Sequence, residues 1–411
     1  MLFNLKLVYN NIVYAFKNFN IMNKNRIAII ALLIVPISGL GVDIYVPSLP
    51  YVARFFLTSE HMVQYTVTIY LAGYAISQFC AGLISDIYGR RVTTLISLAI
   101  FMIMGIIIIY SESIYYVLLF RLIQGFSVGF FASSQRATMV DLFQNDETKL
   151  HHMMNYITIA WSIGPIIAPA IGGYLQHIFS WQANFIFLII YSGVVLLLYI
   201  VLVPETLQTK NKFHFPYIKE SFQTILGTRK FNYALLCCGS LYTITISFST
   251  IGSFIIQTRM GFSAIIFGYC ALLLGVCWFI GSVLNRLIQQ YLLGQKVIIA
   301  SRITLIIIIC SFALSFKFSN IYILIIPIML LNIFGGVVFS NYIIFTATMF
   351  PKFAGNAGSL AAGGCLIFTA VFGSLLSRII PTNTSIPLML AYLILILFCF
   401  ILSRMIFRQV K

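Results

Sequence analysis

The sequence predicts an all-α polytopic membrane protein with twelve transmembrane helices in two six-helix bundles. Of its 411 residues, 61% are hydrophobic and only 8% are charged, and the mean hydropathy is +1.00. A soluble domain carries about 25% charged residues, so this composition is typical of a protein embedded in a bilayer. Apolar runs of about 20 residues, the length that crosses the hydrocarbon core, recur along the chain.

Twelve such runs follow one another, and the longest polar interval, residues 204–231, divides them six and six. The runs lie near residues 27–48, 62–83, 92–110, 114–135, 153–175, 183–203, 232–256, 263–284, 297–316, 321–345, 355–378 and 386–406. We therefore predict a cytoplasmic N-terminal segment (1–26), a first bundle (27–203), a cytoplasmic linker (204–231) and a second bundle (232–411). Equal halves joined by one linker are typical of transporters built from two repeats.

The formal net charge of +16 is a topology signal. When the N-terminus is placed inside, 20 of the 25 Lys and Arg residues fall on the cytoplasmic side. This positive-inside bias predicts a multi-pass protein with both termini in the cytoplasm. Because the basic residues follow the topology, we expect the lipid bilayer and no nucleic acid as a partner, and we expect a monomer.

The first 21 residues leave two interpretations open. In one, an amphipathic helix on the inner membrane surface is formed by apolar residues that recur at helical spacing: Leu5, Val8, Ile12, Phe16 and Phe19. Alternatively, translation begins at Met22, whose basic flank would anchor the first run on the inside.

Two charged residues lie deep inside apolar runs, Asp43 in the first and Arg121 in the fourth. A charge in hydrocarbon is costly and usually marks a substrate or proton pathway. At a rise of about 1.5 Å per residue, the two residues lie at similar depth in the outer half of the membrane. We predict that they couple transport to protons; the alternative is a permanent ion pair that only orients two helices. No Asp or Glu follows Glu220, so a proton-carrying carboxylate must lie in the first half.

The turn between the second and third runs carries closely spaced glycines and charges. It contains Gly82, Asp86, Gly89, Arg90 and Arg91. Glycines allow a tight turn against neighbouring helices. Asp86 can accept hydrogen bonds at a helix N-terminus, where the helix dipole favours negative charge.

This turn resembles the signature of the major facilitator superfamily, and the resemblance continues along the chain. Arg121, Gln124 and Gly125 are similar to the superfamily's fourth-span element. The superfamily's antiporter element is matched in the fifth run by Gly164, Pro165, Pro169, Gly172 and Gly173. Residues 43–50, Arg136 with Asp141, residues 204–207 and residues 351–357 together resemble the Bcr/CflA family, the bicyclomycin-resistance type of drug:proton antiporter.

The resemblance implies a major facilitator fold and export of small amphipathic drugs, bicyclomycin-like or other antibiotics, across the bacterial inner membrane in exchange for protons. Asp43 would exchange a proton, Arg121 would tune it, and the turn at residues 82–91 would latch the cytoplasmic side in the outward-open state. The antiporter element would seal the two bundles against ion leak, with ordinary helix packing as the alternative. Ile87 stands where the family's turn has a basic residue, which weakens the expected ion-pair network.

Polar side chains at membrane depth are candidates for a substrate cavity. We select Tyr70, Tyr74, Gln124, Tyr242 and Asn332, and expect the first three before the others because they share a half with Asp43. For any one of them, a hydrogen bond between helices is the alternative role.

The sequence contains no signature of an enzyme. It has no Gly-x-x-x-x-Gly-Lys-Ser/Thr loop and no His-Glu-x-x-His zinc element, so we expect no catalytic residues, no cofactor and no metal. Two alternatives remain beside drug export. One is a facilitator dedicated to a single metabolite or siderophore, and the other is a membrane-embedded enzyme or a channel.

Overall fold

The structure, a computed structural model, describes residues 24–207, 215–288, 290–317 and 320–407. Within these ranges, twelve helices are long and apolar enough to cross a membrane, which confirms the predicted class. They are numbered as spans 1 to 12: Lys24–Phe55, Glu60–Tyr88, Arg90–Ile109, Ile114–Phe143, Glu147–Ile178, Gln182–Leu202, Arg229–Arg259, Ala264–Leu287, Leu293–Ser315, Ile321–Thr346, Gly355–Ile379 and Ile386–Phe407. The amphipathic helix considered for the first 21 residues lies outside the described residues.

Several spans are longer than the apolar runs that predict them. Span 5 begins at Glu147 rather than near residue 153, because the Asp146 carboxylate accepts a hydrogen bond from the backbone N–H of Lys149 at 3.0 Å and caps the helix. Span 4 continues to Phe143 rather than ending near residue 135. The apolar runs mark the part of each helix inside the hydrocarbon, whereas the helices continue past it.

Span 1 is broken at two points. It contains the short helix Ile37–Asp43, the 3-10 turn Val46–Ser48 and the helix Leu49–Phe55. Pro36 precedes the first of these and Pro47 lies within the second. A proline has no N–H to donate and its ring clashes with the preceding turn, so each proline interrupts the regular helix. The segment that carries Asp43 is therefore a separate seven-residue helix.

Two other spans differ from a regular α-helix. Span 7 contains two π-helical segments, Phe248–Gly252 and Ile255–Arg259. Span 5 runs through Pro165 and Pro169 without ending. Segments of π-helix are uncommon and often lie at functional sites.

The two bundles repeat the same packing. In the first bundle, the main helix pairs are spans 2–4, 3–4, 3–6 and 1–5, and the second bundle has the corresponding pairs with the span numbers raised by six, 8–10, 9–10, 9–12 and 7–11. Spans 7 and 12 form a further main pair in the second bundle. The bundles meet along two contacts, called here the 2–11 seam and the 5–8 seam.

The molecule has two distinct ends. The linker end carries the connection between spans 6 and 7, which includes the linker helix Phe215–Leu226, and the distal end carries the loop between spans 1 and 2. The linker helix packs on spans 7 and 11, where the Asn356 Nδ2 donates to the Ser221 Oγ at 2.7 Å. Of the predicted linker, residues 208–214 lie outside the described residues.

Candidate transport site

A cavity of about 840 Å³, counting the open space at its mouth, lies between the two bundles. Its walls come from spans 1, 5, 7, 8 and 10. The polar side chains that line it are those of Asp43, Ser162, Tyr242, Thr245, Ser249, Ser282 and Asn332, and the aromatic ones are those of Trp161, Phe248, Trp278, Phe279 and Phe339. Such a mixture of aromatic surface with a few polar groups suits an organic ligand that is mostly apolar.

The cavity extends from mid-depth toward the linker end. Ser282 and Phe339, which line it, lie close to the linker ends of spans 8 and 10. At the linker end of span 11, a Cβ added to Gly355 or to Gly358 would meet no atom within 4 Å. Span 11 therefore has open space beside it at this end, and the side-chain hydrogen bonds between the bundles, among the described residues, all lie toward the distal end.

Asp43 is the one Asp, Glu, Lys, Arg or His among the residues that line the cavity. It is the last residue of the short helix Ile37–Asp43, and only 6% of its surface is exposed. The proline breaks in span 1 place the carboxylate at the cavity wall rather than against lipid. A carboxylate in this position has access to the cavity while being largely removed from bulk water.

Arg121 is fully buried beside the segment that carries Asp43. Its Nη1 donates to the Gly41 carbonyl oxygen at 2.8 Å and to the Gln124 Oε1 at 2.9 Å, and its Nε donates to the Thr66 carbonyl oxygen at 3.3 Å. The guanidinium also lies over the ring of Tyr70, 4.1 Å from the ring centroid. Carbonyl oxygens and an aromatic face both favour a buried cation.

Asp43 and Arg121 are neighbours without a direct ion pair. Within the described part of the chain, the ion pairs closer than 4.0 Å are those of Arg90 with Asp86 and with Asp141. Arg121 instead binds the carbonyl of Gly41, two residues before Asp43. This conformation therefore does not contain the permanent ion pair considered above. Arg121 instead contacts the backbone that positions the carboxylate.

The structure divides the five predicted cavity residues. Tyr242 and Asn332 line the cavity. Tyr70 and Gln124 are buried against Arg121 and lie behind the cavity wall, so in this conformation they support the arginine rather than face a ligand. Tyr74 is also buried and is not part of the wall. Tyr70 and Gln124 lie behind the wall because a buried cation takes the nearest polar and aromatic partners.

The glycines and prolines of span 5 that form the predicted antiporter element pack between spans 1 and 8. A Cβ on Gly164 would lie 2.7 Å from the Pro36 carbonyl oxygen of span 1, and one on Gly172 would overlap the Ile44 carbonyl. On the other side, a Cβ on Gly173 would lie 2.6 Å from the Ala264 carbonyl oxygen of span 8. Pro165 and Pro169 contribute to the cavity wall. The Gly173 contact joins the two bundles in the distal half of the molecule, whereas the Gly164 and Gly172 contacts hold span 1 against span 5 within the first bundle.

The predicted latch turn forms a charged cluster at the linker end. Arg90 pairs with Asp86, and its Nε donates to the Asp141 Oδ2 at 3.1 Å. The Glu205 carboxylate accepts from the backbone N–H of Arg90 at 2.9 Å and from that of Arg91 at 3.1 Å. Every partner just named belongs to the first bundle or to the residues that follow span 6.

Two glycines shape this turn in different ways. Gly89 has a φ of +107°, a conformation that favours glycine, and a Cβ there would meet the Glu205 carboxylate. Gly82 has more room, since its nearest neighbour would be the Ser133 Oγ at 3.7 Å. Gly89 is therefore the glycine that the turn requires.

Sequence reasoning did not identify the aromatic walls of the cavity. Trp161 of span 5 and Trp278 of span 8 lie on it, and Trp278 packs on Phe339 with ring centroids 5.2 Å apart. An aromatic residue in a transmembrane helix can face lipid equally well, so its position in the sequence carries no signal. Groups of His, Cys, Asp and Glu suited to a metal ion were searched for among the described residues, and none occurs there.

Comparison with known proteins places this architecture in a family. Residues 31–365 match the profile of the Major Facilitator Superfamily. Multidrug resistance protein D of Escherichia coli (strain K12) is 27% identical over 363 residues, which cover 87% of this chain and 89% of that protein. The bicyclomycin resistance protein homolog of Haemophilus influenzae is 29% identical over 172 residues, which cover 42% of this chain and 43% of that protein.

The fold is also shared with solved structures. The crystal structure of a D-xylose-proton symporter superposes with a TM-score of 0.77 at 15% identity, covering 94% of this chain and 98% of that chain. At this identity the likeness concerns the fold alone.

Proposed function

Because the chain belongs to the major facilitator superfamily, we propose that it is a proton-coupled antiporter that exports small amphipathic drugs across the bacterial inner membrane. It is a transporter and not an enzyme, and its matched relatives include drug-resistance proteins. In this proposal one chain is sufficient, and the two bundles rock about the cavity to give alternating access.

The single observation that carries the proposal is the position of Asp43. It is the one Asp, Glu, Lys, Arg or His on the wall of the cavity, and the second bundle contains no Asp or Glu. A group that alternately binds a proton and releases it on substrate arrival must face the same space as the substrate. Asp43 meets this requirement, and Arg121 stabilises the backbone beside it through the Gly41 carbonyl.

The cavity chemistry supports an amphipathic substrate. Aromatic rings from both bundles contact the same space, and hydroxyl and amide groups supply hydrogen bonds around it. No Lys or Arg lies among the lining residues, so the wall offers no cation to bind an anionic headgroup. We infer that uncharged or cationic compounds with apolar rings are exported in preference to anions.

The positive-inside bias supports a cytoplasmic linker end, and the cavity then opens inward in this conformation. The cluster of Asp86, Arg90 and Asp141 lies at that same end. We propose that it contacts the second bundle when the cytoplasmic side closes, and so latches the outward-open state.

The test is exchange of drug against protons. A drug-hypersensitive host expressing the protein is profiled against a panel of antibiotics, and proteoliposomes are assayed for drug-dependent proton movement. Binding is measured separately, by quenching of Trp161 and Trp278 fluorescence in a Trp181→Phe background. We expect Asp43→Asn to retain binding and to abolish both resistance and proton movement.

Three results would contradict the proposal. Proton-coupled efflux by Asp43→Asn would remove the coupling role of this carboxylate. A single nutritional defect on deletion, without any change in drug susceptibility, would indicate a carrier dedicated to one metabolite or siderophore. Ion conductance through a bilayer would indicate a channel.

A further inference from the structure

The two seams that hold the bundles together at the distal end are built differently. The 2–11 seam and its flanking loop are joined by hydrogen bonds of side chains: Thr382 Oγ1 to Glu60 Oε2 at 2.5 Å, His61 Nδ1 to the Ser377 carbonyl oxygen at 2.9 Å, and Ser374 Oγ to Thr68 Oγ1 at 2.7 Å. Each of these bonds links the first bundle to the second.

The 5–8 seam is formed by close contact of backbones. A Cβ on Gly173 would lie 2.6 Å from the Ala264 carbonyl oxygen, and one on Gly268 would lie 2.5 Å from the Pro169 carbonyl oxygen. One polar contact, between the hydroxyls of Tyr174 and Tyr269, lies at the exposed edge of this seam. Spans 5 and 8 therefore approach to the limit that their backbones permit.

These two kinds of contact respond differently to separation. When a seam opens to water, water molecules replace the lost partners of hydroxyl, imidazole and carboxylate groups, so the net cost of each hydrogen bond is small. Packing contacts between backbones have no such replacement, because a gap of less than about 1 Å already forfeits much of the dispersion attraction. Close glycine packing in the 2–11 seam lies nearer mid-depth, at Gly363, whereas a Cβ on the distal Gly373 would lie 3.3 Å from the Thr68 Cγ2. The distal part of the 2–11 seam can therefore part and re-form more easily than the distal part of the 5–8 seam.

We infer that the distal end opens along the 2–11 seam, while the distal half of the 5–8 seam remains closed and serves as the pivot between the bundles. Glu60, His61 and Thr68 are then gate residues, which hold the distal side shut in the conformation described here. This inference rests on the alternating access of the proposed function, and it adds an asymmetry: one seam moves more than the other.

Cross-linking of matched cysteine pairs tests the asymmetry. In a background without the eight native cysteines, Thr68→Cys with Ser374→Cys spans the 2–11 seam, and Tyr174→Cys with Tyr269→Cys spans the 5–8 seam. Each pair is linked with the same short bismaleimide, and drug transport is compared before and after linking. We expect the 2–11 link to lower transport by more than tenfold, and the 5–8 link to leave at least half of it. Equal losses, or a larger loss from the 5–8 link, would overturn the inference.

A second measurement does not depend on transport. Spin labels at Leu57 and Ile379 report the width of the 2–11 side, and labels at Phe179 and Ile266 report the width of the 5–8 side; all four residues are exposed. We expect the first distance distribution to broaden or lengthen when a bound drug shifts the conformation, and the second to stay unchanged. Equal widening on both sides would overturn the inference. A protein that transports no drug, yet opens on one side only, would contradict the proposed function alone.

Discussion

The two bundles share one packing scheme and differ in the chemistry of their polar groups. In the first bundle, buried or partly buried charges form two centres, one around Asp43 and Arg121 and one around Arg90. The corresponding positions of the second bundle rely on neutral groups. At the turn after span 8, the Asn341 Nδ2 donates to the Asn285 Oδ1 at 2.7 Å, where the turn after span 2 has ion pairs.

The difference shows that two halves of one fold can share their helix packing while only one half carries the ionic groups. Corresponding helix pairs occur in both bundles, and in each bundle glycines allow the paired helices to approach closely. Charge is costly in a membrane, and one bundle carries almost all of it at membrane depth. The second bundle then contributes a neutral cavity wall that moves relative to the charged one.

The largest loss of transport is expected when the carboxylate is moved to the opposite wall of the cavity. In the double variant Asp43→Asn with Asn332→Asp, the acid lies on the wall formed by the second bundle, away from Arg121. We expect proton-coupled transport to fall by about 100-fold or more, as for Asp43→Asn alone, because a positioned proton-exchanging group commonly contributes at least this factor. The measurement is drug-driven proton release from proteoliposomes.

Asn332→Ala is the control for this double variant, and it should weaken drug binding while retaining proton coupling. Restored coupling in the double variant would show that the carboxylate can act equally well from the second bundle, which would refute the difference between the bundles.

Matched glycine substitutions test the shared packing. A Cβ on Gly125 would lie 2.8 Å from the Tyr70 carbonyl carbon, and one on Gly281 would lie 2.8 Å from the Ile333 carbonyl carbon. We expect Gly125→Val and Gly281→Val each to lower the free energy of unfolding by about 1–3 kcal/mol, since added methyl groups force the helices apart. Thermal unfolding in detergent measures it. A large effect in one bundle and none in the other would show that the repeat of packing is only approximate.

Matched arginines test the charged turn. Arg90 holds two carboxylates, whereas the exposed Arg286 of the corresponding turn makes no ion pair among the described residues. We expect Arg90→Gln to lower the transport rate about tenfold, equivalent to about 1.4 kcal/mol, because Asp86 and Asp141 are left without their common partner. Arg286→Gln should change the rate by less than about twofold, as expected for an exposed charge. The transport rates of the two variants are compared at matched expression. Similar losses in Arg90→Gln and Arg286→Gln would mean that only positive charge at the linker end matters.

The smallest expected effect concerns the neutral turn. Asn285→Ala removes the acceptor of one Asn341 hydrogen bond, while the Asn341 Nδ2 keeps its bond to the Val337 carbonyl oxygen at 2.8 Å. We expect the free energy of unfolding to fall by about 1 kcal/mol, the usual net value of one such bond, and transport to continue. Thermal unfolding and transport are measured together. A loss of transport comparable to that of Arg90→Gln would place a second latch in this turn.

Much of the fold could be predicted from the sequence because the hydrocarbon core imposes a fixed length on each helix. The charge pattern and the polar interval at residues 204–231 separated the halves. Asp43 and Arg121 were identifiable for the same reason, since an isolated charge inside an apolar run is rare. The helix ends beyond the hydrocarbon, such as Glu147 at the start of span 5, were not, because capping rather than hydropathy sets them.

Whether a given side chain faces lipid, the cavity or another helix could not be predicted. In a soluble helix the apolar stripe marks the core, but in a membrane both the lipid side and the protein side are apolar. Trp161 and Trp278 therefore gave no sign that they line the cavity, and Tyr70 and Gln124 gave none that they surround Arg121. Their positions depend on how helices distant in the sequence are rotated against each other.

The short helix Ile37–Asp43 rests against span 5, whose Gly164 and Gly172 touch the backbone at Pro36 and Ile44. The absence of a side chain at these two positions of span 5 thus lets the short helix lie close, and any added bulk there would displace the carboxylate relative to the ligand. Changes in drug range could consequently arise at positions that touch neither drug nor proton, and resistance surveys confined to the cavity lining would overlook them.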